Sequence, residues 1–269
     1  MAKDAAPLKI APTGAIALDE WLKKFTWGRT VELKGDFKIP KYKFYSDIIE
    51  LVLDCARRFG GIYEENLLRI REGLEADHQF EVKCKDLVRG TWWQICIMFL
   101  ITWAFIICSL SILQMPVPYS KLILLILWQI FGMILLPWII FKIRKFYFSD
   151  VGILWKSLFM LKALVSVPIS RSEVFLHAEL FKLKNIKNKR LASLIEHIFD
   201  CCQRALRQGG SYEEEVNKIM KDLRFEENRI YGLFEKKLMV LKLAILSIFF
   251  LPTYLAFIYI ILSDFISLM

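Results

Sequence analysis

The chain has 269 residues, of which 56% are hydrophobic, and its mean hydropathy is +0.40. A disordered chain needs low hydrophobicity and high net charge, so that class is excluded. Yet 24% of the residues are charged and the formal net charge is +9, so charged and apolar residues must occupy different stretches.

Residues 1–45 contain Pro7, Pro12, Pro40, Gly14, Gly28 and Gly35. They read as an extended or partly ordered N-terminal tail. Trp21, Phe25 and Trp27 would pack it onto another surface, the bilayer included. The first twenty residues lack the continuous apolar core of a cleavable signal. Residues 46–90 read as a first helical module. Ile48, Leu51, Val52 and Cys55 form one stripe before Gly60-Gly61, and Leu67, Ile70 and Leu74 form the next.

Thr91–Leu113 is a run of 23 residues without Asp, Glu, Lys, Arg or His. Leu122–Phe141 is a second such run of 20, and Leu243–Leu262 is a third. About 20 apolar residues span the hydrocarbon core as a helix. Backbone polar groups must be satisfied within the segment there, so helix is the expected form. The expectation is three transmembrane helices, 91–113, 122–141 and 243–262, with residues 114–121 as an external loop.

Residues 142–242 read as a second helical bundle. Asp150 is placed to cap a helix carrying Ile153, Leu154, Leu158, Leu161 and Val165, ended by Pro168. Ser170 and Glu173 have capping-box spacing ahead of a helix with Val174, Ala178 and Phe181. A loop follows at Asn185–Lys189. Leu191, Leu194, Ile195, Ile198, Cys202 and Ala205 then make an amphipathic stripe. Gly209-Gly210 ends it, since Gly takes the left-handed conformation at a helix end without penalty. Ser211 and Glu214 repeat the capping-box spacing. Val216, Ile219, Met220, Leu223, Ile230, Phe234 and Leu238 lead into the third span. No segment shows the two-residue alternation of a strand, so the fold class is all-α integral membrane protein.

The flanking charges give an orientation. Lys83, Lys85 and Arg89 precede the first span, Lys142, Arg144 and Lys145 follow the second, and Lys236 and Lys237 precede the third. Positive charge marks the cytoplasmic side. The N-terminus and both modules are therefore expected inside, and the C-terminus outside. Orientation accounts for the positive charge, and nucleic-acid binding is not expected because no stacking-aromatic motif accompanies it.

A shift of 149 residues aligns the chain with itself. Ala56–Glu65 falls on Ala205–Glu214, and nine of the nineteen positions from 56 to 74 are identical. Gly60-Gly61 and Gly209-Gly210 coincide as structural helix turns. Self-similarity of this kind signals a repeated unit, here two related helical modules, each leading into a span.

Chemical motifs are absent. There is no Gly-x-x-x-x-Gly-Lys-Ser/Thr phosphate loop and no His-Glu-x-x-His metal motif. The histidines are His78, His177 and His197; Glu173 and His177 share a helix face, but read better as a surface pair than as a metal or acid–base pair. Glu64-Glu65 and Glu213-Glu214-Glu215 sit in first helical turns, where acids offset the macrodipole. Cys55, Cys84, Cys96, Cys108, Cys201 and Cys202 fall in expected cytoplasmic or membrane segments, so buried free thiols are expected, not disulfides. The spans contain no ionisable group, which disfavours an ion-coupled carrier. Lys182, Lys184, Lys187, Lys189 and Arg190 form a basic loop, either solvated or facing an acidic partner or lipid headgroups. No catalytic residue, metal or cofactor is expected.

At Gly209–Arg224, and through Lys236-Lys237-Leu238 to Leu251-Pro252, the chain resembles the F-protein domain of type II secretion systems. It is closer still to the B- and C-type platform proteins of tight-adherence (Tad) pili. The glycine turn, the stripe from Val216 to Ile219, the Leu223-Arg224 pair and the Leu-Pro in the following span carry the resemblance. It covers residues 150–262, and the first repeat matches from Gly60-Gly61 to Leu74. The resemblance implies a non-enzymatic platform in a bacterial inner membrane. It implies a hexameric secretion or type IV pilus ATPase, pilin-like subunits, and a second platform protein or further copies of the chain as partners. Lys189, Arg207 and Arg224 are the residues expected to contact the motor. An adaptor for another cytoplasmic complex, or an oligomeric carrier or membrane enzyme, remains the alternative.

Overall fold

The computed structural model describes residues 14–27, 38–59, 64–113, 119–165, 170–186, 188–208 and 212–268. Every regular element among them is helical: α1 (Gly14–Trp27), α2 (Tyr45–Phe59), α3 (Glu64–Leu113), α4 (Tyr119–Leu164), α5 (Arg171–His177), a 3-10 turn (Leu180–Asn185), α6 (Ala192–Gln208), α7 (Glu213–Ile245), a π turn (Leu246–Phe250) and α8 (Leu251–Leu268). Three helices are long and apolar enough to cross a membrane: α3, α4, and the continuous run from Glu213 to Ser263. Within their most apolar windows only 11%, 22% and 33% of residues are buried. Apolar side chains therefore face outward around most of each helix, as lipid contact requires and water contact does not favour.

The described residues form two compact units. The first takes residues up to Val82 together with Asp150–Glu227; the second takes Lys83–Ser149 and the residues from Asn228 onward.

In the first unit the expected tail is in part a helix. Ala15, Leu18 and Leu22 on α1 are buried, because they recur at helical spacing and give α1 one apolar face. Asp19 on the same helix accepts from Arg71 Nε at 2.8 Å, and Lys23 joins it at 2.6 Å. Trp21 is half-buried, while the side chains of Phe25 and Trp27 lie outside the described residues. The start of α2 is fastened by Ser46, whose hydroxyl accepts from the Tyr42 N–H at 2.7 Å and donates to Pro40 O at 3.0 Å. Ile48, Ile49, Val52 and Leu53 bury its apolar face.

A second difference concerns Asp150. It caps nothing, since α4 runs unbroken through it. Val151, Leu154, Leu158 and Leu161 continue a buried stripe, so no break in the apolar pattern calls for a new start. The Ser170–Glu173 capping box forms as expected, with both reciprocal bonds present. The helix it opens is shorter than expected. Ala178 is its C-cap, Glu179 turns left-handed at φ 51°, and Phe181 falls in the 3-10 turn, exposed. The stripe on α6 is buried from Leu191 to Ala205. Cys201 and Cys202 are both buried free thiols, pushed up to about 12 by burial, with Glu215 adding to the rise at Cys201.

The second unit holds the apolar parts of the three long helices. Ile95, Leu136, Ile140, Phe234, Leu238, Ile245, Phe249 and Phe250 form one buried cluster, and Ile106, Leu122 and Phe257 a smaller one. Gly132 allows a close approach here, because a Cβ on it would stand 2.5 Å from the Phe249 ring.

Gly73 on α3 makes a similar approach in the first unit, where a Cβ would stand 2.3 Å from the Phe159 ring. Its carbonyl accepts from the Tyr45 hydroxyl at 3.0 Å. Overpacking a core costs about 1–3 kcal/mol. Gly73→Ala should therefore lower the thermal midpoint of the detergent-purified protein, and Gly73→Ala with Phe159→Leu should recover part of the loss. An unchanged midpoint in the single variant would contradict this packing.

Candidate functional site

The three residues expected to contact a motor do not converge. Lys189 is exposed in the turn before α6, and Arg207 is exposed in its last turn. Seventeen residues of helix separate these ends, about 25 Å at 1.5 Å per residue. Arg224 on α7 has a different environment. Its Nη1 donates to Glu227 Oε2 at 2.8 Å, and its guanidinium lies 4.7 Å from the Trp155 ring centre. Gly60, Gly61, Gly209 and Gly210 lie outside the described residues, in the connections from α2 to α3 and from α6 to α7. Among the basic-loop residues, Lys182 pairs with Glu179 at 2.7 Å, which Lys156 also reaches at 3.0 Å.

What Arg224 serves is a buried carboxylate. Glu227 is 3% exposed. Its Oε1 accepts from Trp155 Nε1 at 3.1 Å and its Oε2 from Arg224. Trp155 stacks on Phe159 at 5.4 Å, and Phe159 meets Tyr45 at 5.5 Å and Phe44 at 6.1 Å. Polar groups surround this aromatic wall. The Tyr42 hydroxyl donates to Glu81 at 2.8 Å, and Lys43 reaches Asp77 at 2.7 Å. Burial pushes the Glu227 carboxyl above its ordinary value, Arg224 and Trp155 oppose the rise, and Asp77 adds to it. Burial likewise raises the Tyr45 hydroxyl well above its ordinary value.

Both carboxylate oxygens already accept hydrogen bonds, so the cluster resembles a fixed polar network more than an acid or base awaiting a substrate. Sequence reasoning missed Glu227, though its signal was present. The stripe on α7 jumps from Leu223 to Ile230, and Glu227 stands midway on the same buried face. A charge at a core position needs a partner, and Arg224, three residues earlier, is that partner.

A separate ion pair joins Arg69 on α3 to Glu213 in the first turn of α7, with Glu65 on the other side at 2.6 Å. Glu173 is held by Ser170 in the capping box, so it is not paired with His177 as a site. Among the described residues no group of three His, Cys, Asp or Glu side chains could hold a metal ion.

In the second unit the polar groups of the spans are mostly paired. Gln129, fully buried, accepts from Trp103 Nε1 at 2.8 Å. Pro252 has no N–H for the Ile248 carbonyl four residues earlier; Trp128 Nε1 donates to that oxygen at 3.3 Å. The π turn ends at Phe250, two residues before this proline.

Models of known protein families give no match to this chain, and no curated protein or solved structure matches it either.

Removing one partner of a buried pair leaves an uncompensated charge. Arg224→Ala should cost about 3 kcal/mol at neutral pH, the low end of the roughly 3–5 kcal/mol for breaking a buried pair, because the Arg224 side chain is 35% exposed. The acidic pH dependence follows from Glu227. Its folded pKa lies above the ordinary 4.5, so the folded protein holds the proton more tightly. Its contribution to stability is full below pH 4.5 and is lost as pH rises through the folded pKa. The stability of wild type relative to Glu227→Gln should therefore fall as pH rises from 4.5, measured by denaturant unfolding in detergent. A pH-independent difference would contradict the burial of a titrating carboxyl.

Proposed function

We propose that this chain is a non-enzymatic platform protein of a type IV pilus, tight-adherence or type II secretion apparatus in a bacterial inner membrane. In this reading its helical modules lie in the cytoplasm and meet a hexameric ATPase, and its spans guide pilin-like subunits. The N-terminus is inside and the C-terminus outside.

The observation that carries the reading is the likeness of two helix pairs. α2 and α3 flank one double-glycine connection, and α6 and α7 flank the other. α3 begins at Glu64 and α7 at Glu213, the same 149-residue offset that aligns the sequence. Leu67, Ile70 and Leu74 are buried, as are Val216, Ile219 and Leu223 at the matching positions. Each outgoing helix continues into a stretch apolar enough to cross a membrane. This supports a duplicated module hung on membrane helices, which is the organisation that the sequence resemblance implies. The absence of Asp, Glu, Lys, Arg and His from the three apolar runs favours guiding another apolar helix over coupling to an ion.

Lys189 and Arg207 are the residues of choice for the motor contact because both are exposed. Arg224 acts instead on Glu227. Crosslinking in the native membrane, mild-detergent purification and mass spectrometry should recover a hexameric secretion ATPase and pilin-like subunits with the protein. Lys189→Glu and Arg207→Glu should reduce recovery of the ATPase at unchanged protein abundance. Efficient recovery of the protein with neither partner, in cells making the apparatus, would overturn the platform reading in favour of an adaptor or an oligomeric carrier.

A further inference from the structure

Within the second unit, α3 and α4 border an open groove of about 590 Å³, inside the ~300–1,000 Å³ range of small-molecule sites. Its floor is apolar, with Trp92, Trp93, Pro137 and Phe141 among its lining. Its rim carries Lys85, Arg89 and Arg144, and no acidic side chain lines it among the described residues.

The order of these residues along the two helices fixes the groove's direction. On α3, Lys85 and Arg89 come just before the uncharged run that begins at Thr91. On α4, Arg144 comes just after the uncharged run that ends at Phe141. Both helices thus pass from cation to aromatic to aliphatic at the same end of the groove. In a bilayer that end lies at headgroup depth, where Trp and basic side chains collect, and the floor lies at the depth of the first acyl carbons. Arg89 gives Nη2 to Asp86 at 2.5 Å, and a guanidinium has further N–H donors in the same plane.

We propose that this groove is a binding site for an anionic phospholipid, with the phosphate among Lys85, Arg89 and Arg144 and one acyl chain along Trp92, Trp93 and Phe141. A lipid fits better than a protein helix. An apolar helix laid here would bring no charge to the basic rim, whereas a lipid phosphate complements that rim and its chain supplies the apolar part. The inference rests on the three apolar helices lying in a membrane and does not depend on the secretion-platform reading.

The test uses the full chain reconstituted in vesicles of equal parts phosphatidylglycerol and phosphatidylcholine. Protein released in mild detergent is then weighed by native mass spectrometry to count retained lipids. Wild type should retain phosphatidylglycerol in preference to phosphatidylcholine. Each of Lys85→Gln, Arg89→Gln and Arg144→Gln should weaken that retention by about fivefold, the value of one basic residue against an anionic lipid surface. Lys236→Gln with Lys237→Gln, two cations that do not line the groove, should leave it unchanged. Cys96→Trp keeps every charge and fills the floor, so it should expel the lipid while the protein stays folded. Equal retention of the two lipids, or anionic retention that survives both the triple Gln variant and Cys96→Trp, would overturn the proposal. Loss of retention only in the Lys236/Lys237 variant would do so too, by assigning the effect to general surface charge.

Discussion

Hydrocarbon offers no hydrogen-bond partner, and that constraint organises the second unit. It forces the three apolar stretches into helices, whose backbones satisfy themselves. It then governs the few polar groups that remain. The Gln129 carbonyl accepts from Trp103 while its buried amide nitrogen finds no partner among the described residues, and the Thr253 hydroxyl donates to Phe249 O at 2.7 Å. The carbonyl that Pro252 cannot serve is met by Trp128. Aromatic residues therefore do two jobs in these helices. They fill the clusters around Phe249, and their indole N–H groups close gaps in the hydrogen bonding.

The first unit solves the opposite problem, a charge buried in a protein core. Glu227 is tolerable only because two donors reach it and an aromatic wall of Trp155, Phe159 and Tyr45 shields the set. Such a network adds little net stability compared with a well-packed apolar core, and breaking it is expensive. Its consequence is geometric. Glu227 on α7 and Trp155 on α4 must keep their register, since sliding one helix against the other by a residue would take the Trp155 donor away and leave the buried carboxylate only Arg224 of its own helix. Arg69 adds a tie between α3 and the first turn of α7, where an acid is already favoured by the macrodipole.

Much of this was legible in the residues. The three spans, the stripe on α6, the Ser170 capping box and the first-turn acids are local or periodic features, and the helices stand where those features put them. Three things were not legible. α1 lies in a stretch whose prolines and glycines suggested a tail, but Ala15, Leu18 and Leu22 find a surface to bury against. Asp150 resembles a cap and is an ordinary mid-helix residue, because neighbouring apolar residues hold the helix through it. Arg224 resembles a surface cation; the place of Glu227 on the buried stripe can be read from spacing, but the Trp155 donor that α4 brings to it cannot.

Sequence alone determined the class of this protein: helical, with three segments fit for a bilayer. Those properties follow from hydropathy, periodicity and spacing, all of which act over one helix at a time. Tertiary structure alone decided which polar residues are satisfied and which cations share a groove. Glu227 meets Trp155 across 72 positions of chain, and Lys85 and Arg144 border one cavity from separate helices. Distances of that kind depend on how helices pack, and no local pattern in the chain encodes them.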